Sequence, residues 1–161
     1  MKSFGNNCVN KSAMNNGHSI NEYRREFRHL TCPDRDHLKG EWTAHFVGPR
    51  WLTIAAPIGL NLVGLRGWRG KLFLDGDLAT NIIVRQGKTS HRFRMKVQRS
   101  ESILDHRPAV RLSYGEENNP RIWKLVVDEF RVLSGDRLLG MSFLNIPLAR
   151  KFPLPFMLVR P

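Results

Sequence analysis

The chain has 161 residues, 41% of them apolar and 25% charged, with a formal net charge of +12. That length supports one core and excludes two comfortable domains, and the ordinary apolar fraction excludes a chain too polar to fold. The charge favours anionic partners in general (nucleic acid, acidic lipid headgroups, anionic metabolites) without choosing among them.

Residues 1–18 are rich in Asn, Ser, Gly and Lys and are expected to be a disordered tail. The start lacks the apolar core of a signal peptide. The longest apolar tract, Trp51–Leu65, is broken by Pro57, Gly59, Asn61 and Gly64 and falls short of the ~20 residues of a spanning helix. The expectation is a cytoplasmic protein without a transmembrane segment, and a single barrel domain over 19–161. Cys8 and Cys32 both precede the strands, so a bridge between them would pin only the N-terminal arm. Free thiols are the simpler account.

Ser19 and Glu22 form an S-x-x-E capping box, after which Ile20, Tyr23, Phe27 and Leu30 share one face of a helix over 19–31. Thr31-Cys32-Pro33 ends it, because the residue before a proline avoids the helical region. The helix is expected to cap one end of a barrel spanning 39–161. Its basic face also admits peripheral contact with an anionic membrane.

Lys39–Val47 alternates cleanly, with Trp42, Ala44 and Phe46 on one face and Glu41, Thr43 and His45 on the other. Period two marks a half-buried antiparallel strand. Gly48-Pro49-Arg50 is a turn, and Trp51–Leu65 reads as an irregular or partly helical lid over an apolar opening, or as a buried connector. Strands follow at 67–74 and 78–85, joined by Asp75-Gly76-Asp77. In the next, 90–99, Phe93, Met95 and Val97 oppose Arg92, Arg94, Lys96 and Gln98. Further strands are expected at 109–114, 123–133, 137–144 and 152–160. With short turns and no crossover helix, the fold class is mainly β: eight antiparallel strands in an up-and-down barrel, or alternatively a sandwich.

Asp128 shares a strand face with Val126, Phe130 and Val132. Turned inward, it is a buried carboxylate that needs a partner, with Glu129 and Arg131 outside as a solvated pair. Trp68, Phe93, Met95, Phe130, Met141 and Phe143 are expected to line a cavity for a hydrophobic small molecule, with Asp128 anchoring a polar group. Histidines at 18, 29, 37, 45, 91 and 106 show no metal-ligand spacing, and none lies on a late strand where it could hold a haem. No Gly-x-Ser-x-Gly and no phosphate-binding glycine loop is present, so no catalytic residue and no cofactor are assigned. Two alternatives stand beside ligand binding. One is nucleic acid on a stripe of Arg92, Arg94, Lys96, Arg99, Arg107 and Arg111, although that stripe lacks exposed aromatics for base stacking. The other is an enzyme of undefined reaction using Asp128 in the same cavity.

The Gly-x-Trp of Gly40-Glu41-Trp42 and the late Arg160 resemble the closure of lipocalin and calycin barrels, which implies an indole at the barrel base under a guanidinium. Gly67-Trp68-Arg69-Gly70-Lys71 resembles the Trp-x-Gly-Lys core of the bacterial GXWXG proteins, although Arg66 stands where that pattern has glycine. Asp128-Glu129-Phe130-Arg131 followed by Leu139-Gly140-Met141 is similar to the companion DUF4334 pattern, and Leu154–Arg160 to its aromatic closing strand. The resemblance covers pieces of 64–160. It implies a small lipocalin-like barrel with an apolar ligand.

Overall fold

A computed structural model describes residues 18–75, 77–116 and 118–161. Residues 1–17, which hold most of the expected tail and Cys8, lie outside the described residues, as do Gly76 and Glu117. Eight strands form a closed barrel in sequence order: β1 (Gly40–Phe46), β2 (Trp68–Phe73), β3 (Leu78–Arg85), β4 (Lys88–Glu101), β5 (Pro108–Ser113), β6 (Val126–Ser134), β7 (Arg137–Leu144) and β8 (Leu154–Val159). Every neighbouring pair is antiparallel, and β1 closes on β8. The protein is therefore a mainly β, up-and-down barrel with a short helix near its N-terminus.

That helix, α1 (Ile20–His29), starts at the expected capping box: the Ser19 hydroxyl accepts from the Glu22 amide, and the Glu22 carboxylate accepts from the Ser19 amide at 2.6 Å. It does not cap the barrel end. Tyr23 and Phe27 instead pack on the outer wall against Ala109, Val127, Leu139 and Met157. The reason lies in the strands. On β6 to β8 apolar residues occupy both faces, so the outer face needs a cover. Met141 and Phe143 belong to this outer cluster. Leu138, Gly140 and Ser142 alternate with them, so these two side chains point away from the lumen they were expected to line.

Glu129 and Arg131 also face outward, but they are not a solvated pair: both are fully buried under α1 and the 102–107 connection. Arg131 makes a two-pronged ion pair with Asp105 at 2.7 Å and donates to the carbonyl of Phe27 at 2.8 Å. Its guanidinium lies 4.5 Å from the Phe27 ring centre. Glu129 accepts from the Ser102 hydroxyl at 2.5 Å and from Arg111 at 2.9 Å. These charge-assisted bonds replace the hydration lost on burial.

One barrel end is closed. Leu38, on the short helix α2 (Arg35–Leu38), covers it, and Trp42 donates its indole N–H to the Leu38 carbonyl at 2.7 Å. Arg160 stacks 4.4 Å above the Trp42 ring and donates to the carbonyls of His37 and Lys39. Above this plug, Phe73, Phe130 and Phe156 fill the lumen edge to face. Gly140 makes room for them, because a Cβ there would stand 2.7 Å from the Phe156 ring. Phe130 is thus a packing residue below any open space.

The tract 51–65 forms a true helix, α3 (Arg50–Leu62), across the other end, with Pro57 inside it. Trp123 lies in a 3-10 turn, Arg121–Leu125, ahead of β6, where a longer strand was expected. Its indole N–H donates to the Val63 carbonyl at 2.9 Å and ties down the end of α3.

Candidate ligand cavity

Between α3 and the aromatic plug lies a cavity of about 440 Å³. Its roof is the inner face of α3 (Leu52, Ala56, Gly59 and Leu60), and its walls include Phe46, Trp68, Trp123 and Phe156. Small residues at 55, 56 and 59 leave the space beneath this roof unfilled.

Polar groups gather at the floor. Lys71 is 1% exposed and lies inside the barrel. Its ammonium donates to Asp128 Oδ2 at 2.9 Å, to the Tyr114 hydroxyl at 2.8 Å and to Asn81 Oδ1 at 3.2 Å. Tyr114 passes its own proton toward Asp128 Oδ2 at 2.9 Å, and Trp68 donates its indole N–H to Asn81 Oδ1 at 3.1 Å. Burial pulls Lys71 below its ordinary pKa, and the Asp128 carboxylate pushes back. Burial, then the charge of Asp128, raise Tyr114 well above the ordinary phenol value, so it stays a donor. Two donors aimed at Asn81 Oδ1 fix that amide's orientation. They leave its buried Nδ2 without a partner.

Backbone irregularity brings this set together. A register shift between Trp68 and Gly70 inserts Arg69 as an extra residue, so Trp68 and Lys71 both face inward although three positions apart. Gly70 carries the close approach of β2 to β1: a Cβ there would stand 1.9 Å from the Trp42 carbonyl oxygen. Asn81 reaches the lumen by ordinary alternation with Ala79 and Ile83 of the core, and the second shift lies opposite it in β4, where the three steps from Arg92 to Met95 face two on β3.

The expected site residues therefore separate. Trp68 and Asp128 line the cavity, while Met95 and Phe130 sit in the packed core beside and below it. Phe93, at φ 57°, turns to the rim and stacks on Trp123 at 5.2 Å. Trp42 and Arg160 hold the closed end. Lys71, Asn81 and Tyr114 escaped sequence reading. The alternation that puts Trp68 inside puts Lys71 outside, and only the bulge reverses it. The basic stripe is divided: Arg92, Arg94 and Lys96 are exposed on β4, whereas Arg111 is held by Glu129 and Arg107 donates to the Arg28 carbonyl.

No protein-family model matches the chain, and no curated protein matches it. A solved structure, described as a crystal structure of a protein from Thermomonospora curvata, is similar in fold, with a TM-score of 0.65 and 18% identity over 91% of this chain and 90% of that one. At that identity the likeness concerns the barrel alone.

Proposed function

We propose that the barrel binds a hydrophobic or amphipathic small molecule, lipid- or fatty-acid-like, with its apolar body under α3 and its polar group at the Lys71–Asn81–Tyr114–Asp128 floor. The observation that carries this reading is Asn81 Nδ2, buried without a hydrogen-bond partner at the polar floor of a cavity whose roof and upper walls are apolar. An unpaired buried donor costs about 1–3 kcal/mol, which an acceptor on the ligand would recover. The Lys71 ammonium already serves the oxygens of Asp128, Tyr114 and Asn81 and lies against the Met95 sulfur, so the free valence is a neutral donor. It suits a carbonyl, ether or carboxyl oxygen. The volume falls in the range of small-ligand pockets, and aromatic walls with few convergent polar groups are their usual lining.

Native mass spectrometry of protein purified at high salt, with organic extraction of the same sample, tests the reading. The expected result is a reproducible added mass that extracts as lipid and is absent from Ala56→Trp, whose indole would fill the cavity. A bare polypeptide mass, together with no saturable uptake of an apolar fluorescent probe, would overturn it.

A further inference from the structure

The open end presents an apolar surface that extends beyond the cavity, Trp51 alone of its α3 stripe also bordering the cavity. α3 is apolar on both sides. Leu52, Ala56 and Leu60 roof the cavity, while Trp51, Ile54, Ile58 and Leu62 stand 60%, 62%, 58% and 83% exposed. Their spacing of three, four and four residues makes one continuous stripe along the helix. A helix apolar all round is normally covered on both sides. The neighbouring open-end connections add Ile122 from the 3-10 turn before β6, and Leu148 and Phe152 from the link between β7 and β8, all largely exposed.

Charge singles out the partner. The open-end connections 47–67, 114–125 and 145–153 carry Arg50, Arg66, Arg121, Lys124, Arg150 and Lys151 against only Glu116 and Glu117. All six are exposed. The closed end is different in kind: Asp34, Asp36, Asp75 and Asp77 are interspersed with its cations there, and ion pairs such as Lys39–Asp75 form. A neutral protein partner would bury Ile, Leu, Trp and Phe but leave this surplus of cations without counter-charge. An anionic bilayer surface supplies both at once, an apolar interior beneath a sheet of negative headgroups.

We propose that the open end docks on anionic membrane, with the outer stripe of α3 and the Leu148–Phe152 link buried at the headgroup boundary and the basic residues around them against acidic lipid. Docking is peripheral: α3 has 13 residues, and no described helix is long and apolar enough to cross a bilayer. Trp51 sits where interfacial indoles anchor. The face that docks also roofs the cavity, so an apolar ligand would pass between bilayer and barrel without crossing water. The docking itself does not depend on the cavity being filled.

Flotation of the full chain with vesicles of phosphatidylcholine alone, and with vesicles that also contain phosphatidylglycerol, tests the surface. The expected result is binding to the anionic vesicles, a blue shift of tryptophan emission there, and about tenfold or greater loss in Ile58→Asp/Leu62→Asp. Leu74→Asp, at the closed end, should bind as the unchanged chain does. Both substituted positions on α3 are exposed, and circular dichroism checks that the double variant stays folded. Equal binding by the two variants, or binding abolished by moderate salt and insensitive to Ile58→Asp/Leu62→Asp, would reduce the contact to loose charge adsorption and overturn the proposal. So would an absence of vesicle binding with a dimer that the double variant dissociates, because the stripe would then be an interface between two copies. Ligand retention is read separately by the native mass, so the failure of either reading leaves the other standing.

Discussion

At the closed end of the barrel, Trp42, Phe73, Phe130 and Phe156 interlock, Arg160 covers the indole, and Leu38 seals the opening. At the open end the same strands lead into a helix whose inner face meets empty space and whose outer face meets solvent. The closed half spends large aromatics on filling the lumen. The open half puts Ala56 and Gly59 where aromatics would fit and leaves its large apolar residues outside. One half is arranged as a folding core, and the other sacrifices packing to keep a cavity and a surface. Mutations in the two halves should therefore separate stability from binding.

The sharpest contrast is expected at Phe130. Phe130→Ala should cost about 3–5 kcal/mol, because the site lies under Phe73 and Phe156 and cannot collapse. Leu60→Ala, in the cavity roof, should cost much less and act on ligand retention. Denaturant unfolding of both variants checks this, and equal losses would mean that the open half is packed like the closed one.

Between the halves lies Lys71. Lys71→Met should lose about 3 kcal/mol, since Asp128 would remain buried with only Tyr114 beside it. Lys71→Met/Asp128→Leu should recover most of that loss, as replacing a buried ion pair by apolar residues of similar size often does. A double variant worse than both singles would show the polar floor to be needed for packing the upper lumen, and the division between halves would blur.

How far these halves could be read in the sequence differs for physical reasons. Most strand positions and the capping box follow from period two and local hydrogen bonding, while the Trp42–Arg160 closure is implied by the resemblance to lipocalin-type barrels. A barrel with one apolar face puts Met141 and Phe143 inside. Yet Val126-Val127, Leu138-Leu139 and Phe156-Met157-Leu158 are continuous apolar runs, the mark of strands covered on both sides, and that signal was available. The burial of Arg131 rests on Asp105 and Phe27, both distant in sequence, and no local pattern reveals it. The Lys71 floor was hidden by a bulge, where the chain breaks its own alternation. The motif Trp68-Arg69-Gly70-Lys71 contains the lysine and its indole neighbour, but not the direction in which they point.

The connection 102–107 supplies a smaller, pH-dependent effect that belongs to the closed end. Burial alone would raise the Asp105 pKa, but the hydrogen bonds from Arg131 and the Arg107 amide, with the charges of Arg131 and Arg107, lower it below its ordinary 3.8. A carboxyl whose folded pKa is depressed stabilises the fold above its unfolded value, and the contribution disappears as pH falls through the folded one. Thermal unfolding should therefore show stability falling as pH drops below about 4. Asp105→Asn should flatten that fall and lower stability at neutral pH. An unchanged acid slope in Asp105→Asn would place the acid sensitivity elsewhere.

The smallest expected change is also the most discriminating for the open end. Leu62 is 83% exposed and Leu38 is 2% exposed, although each sits on a helix at a barrel mouth. Leu62→Ser should alter stability in dilute solution by no more than about 0.5 kcal/mol, the ordinary range for a surface site. Leu38→Ser should cost several times that, through lost burial and a hydroxyl set among apolar groups. A measured loss of about 2 kcal/mol for Leu62→Ser would be evidence that something already covers the α3 stripe in solution. A concentration-dependent midpoint would then identify the cover as a second copy of the chain, because only an association equilibrium ties stability to protein concentration. If Leu62→Ser is silent in solution and loses affinity for anionic vesicles, the exposed leucine has no role in the fold and is explained by the surface it meets.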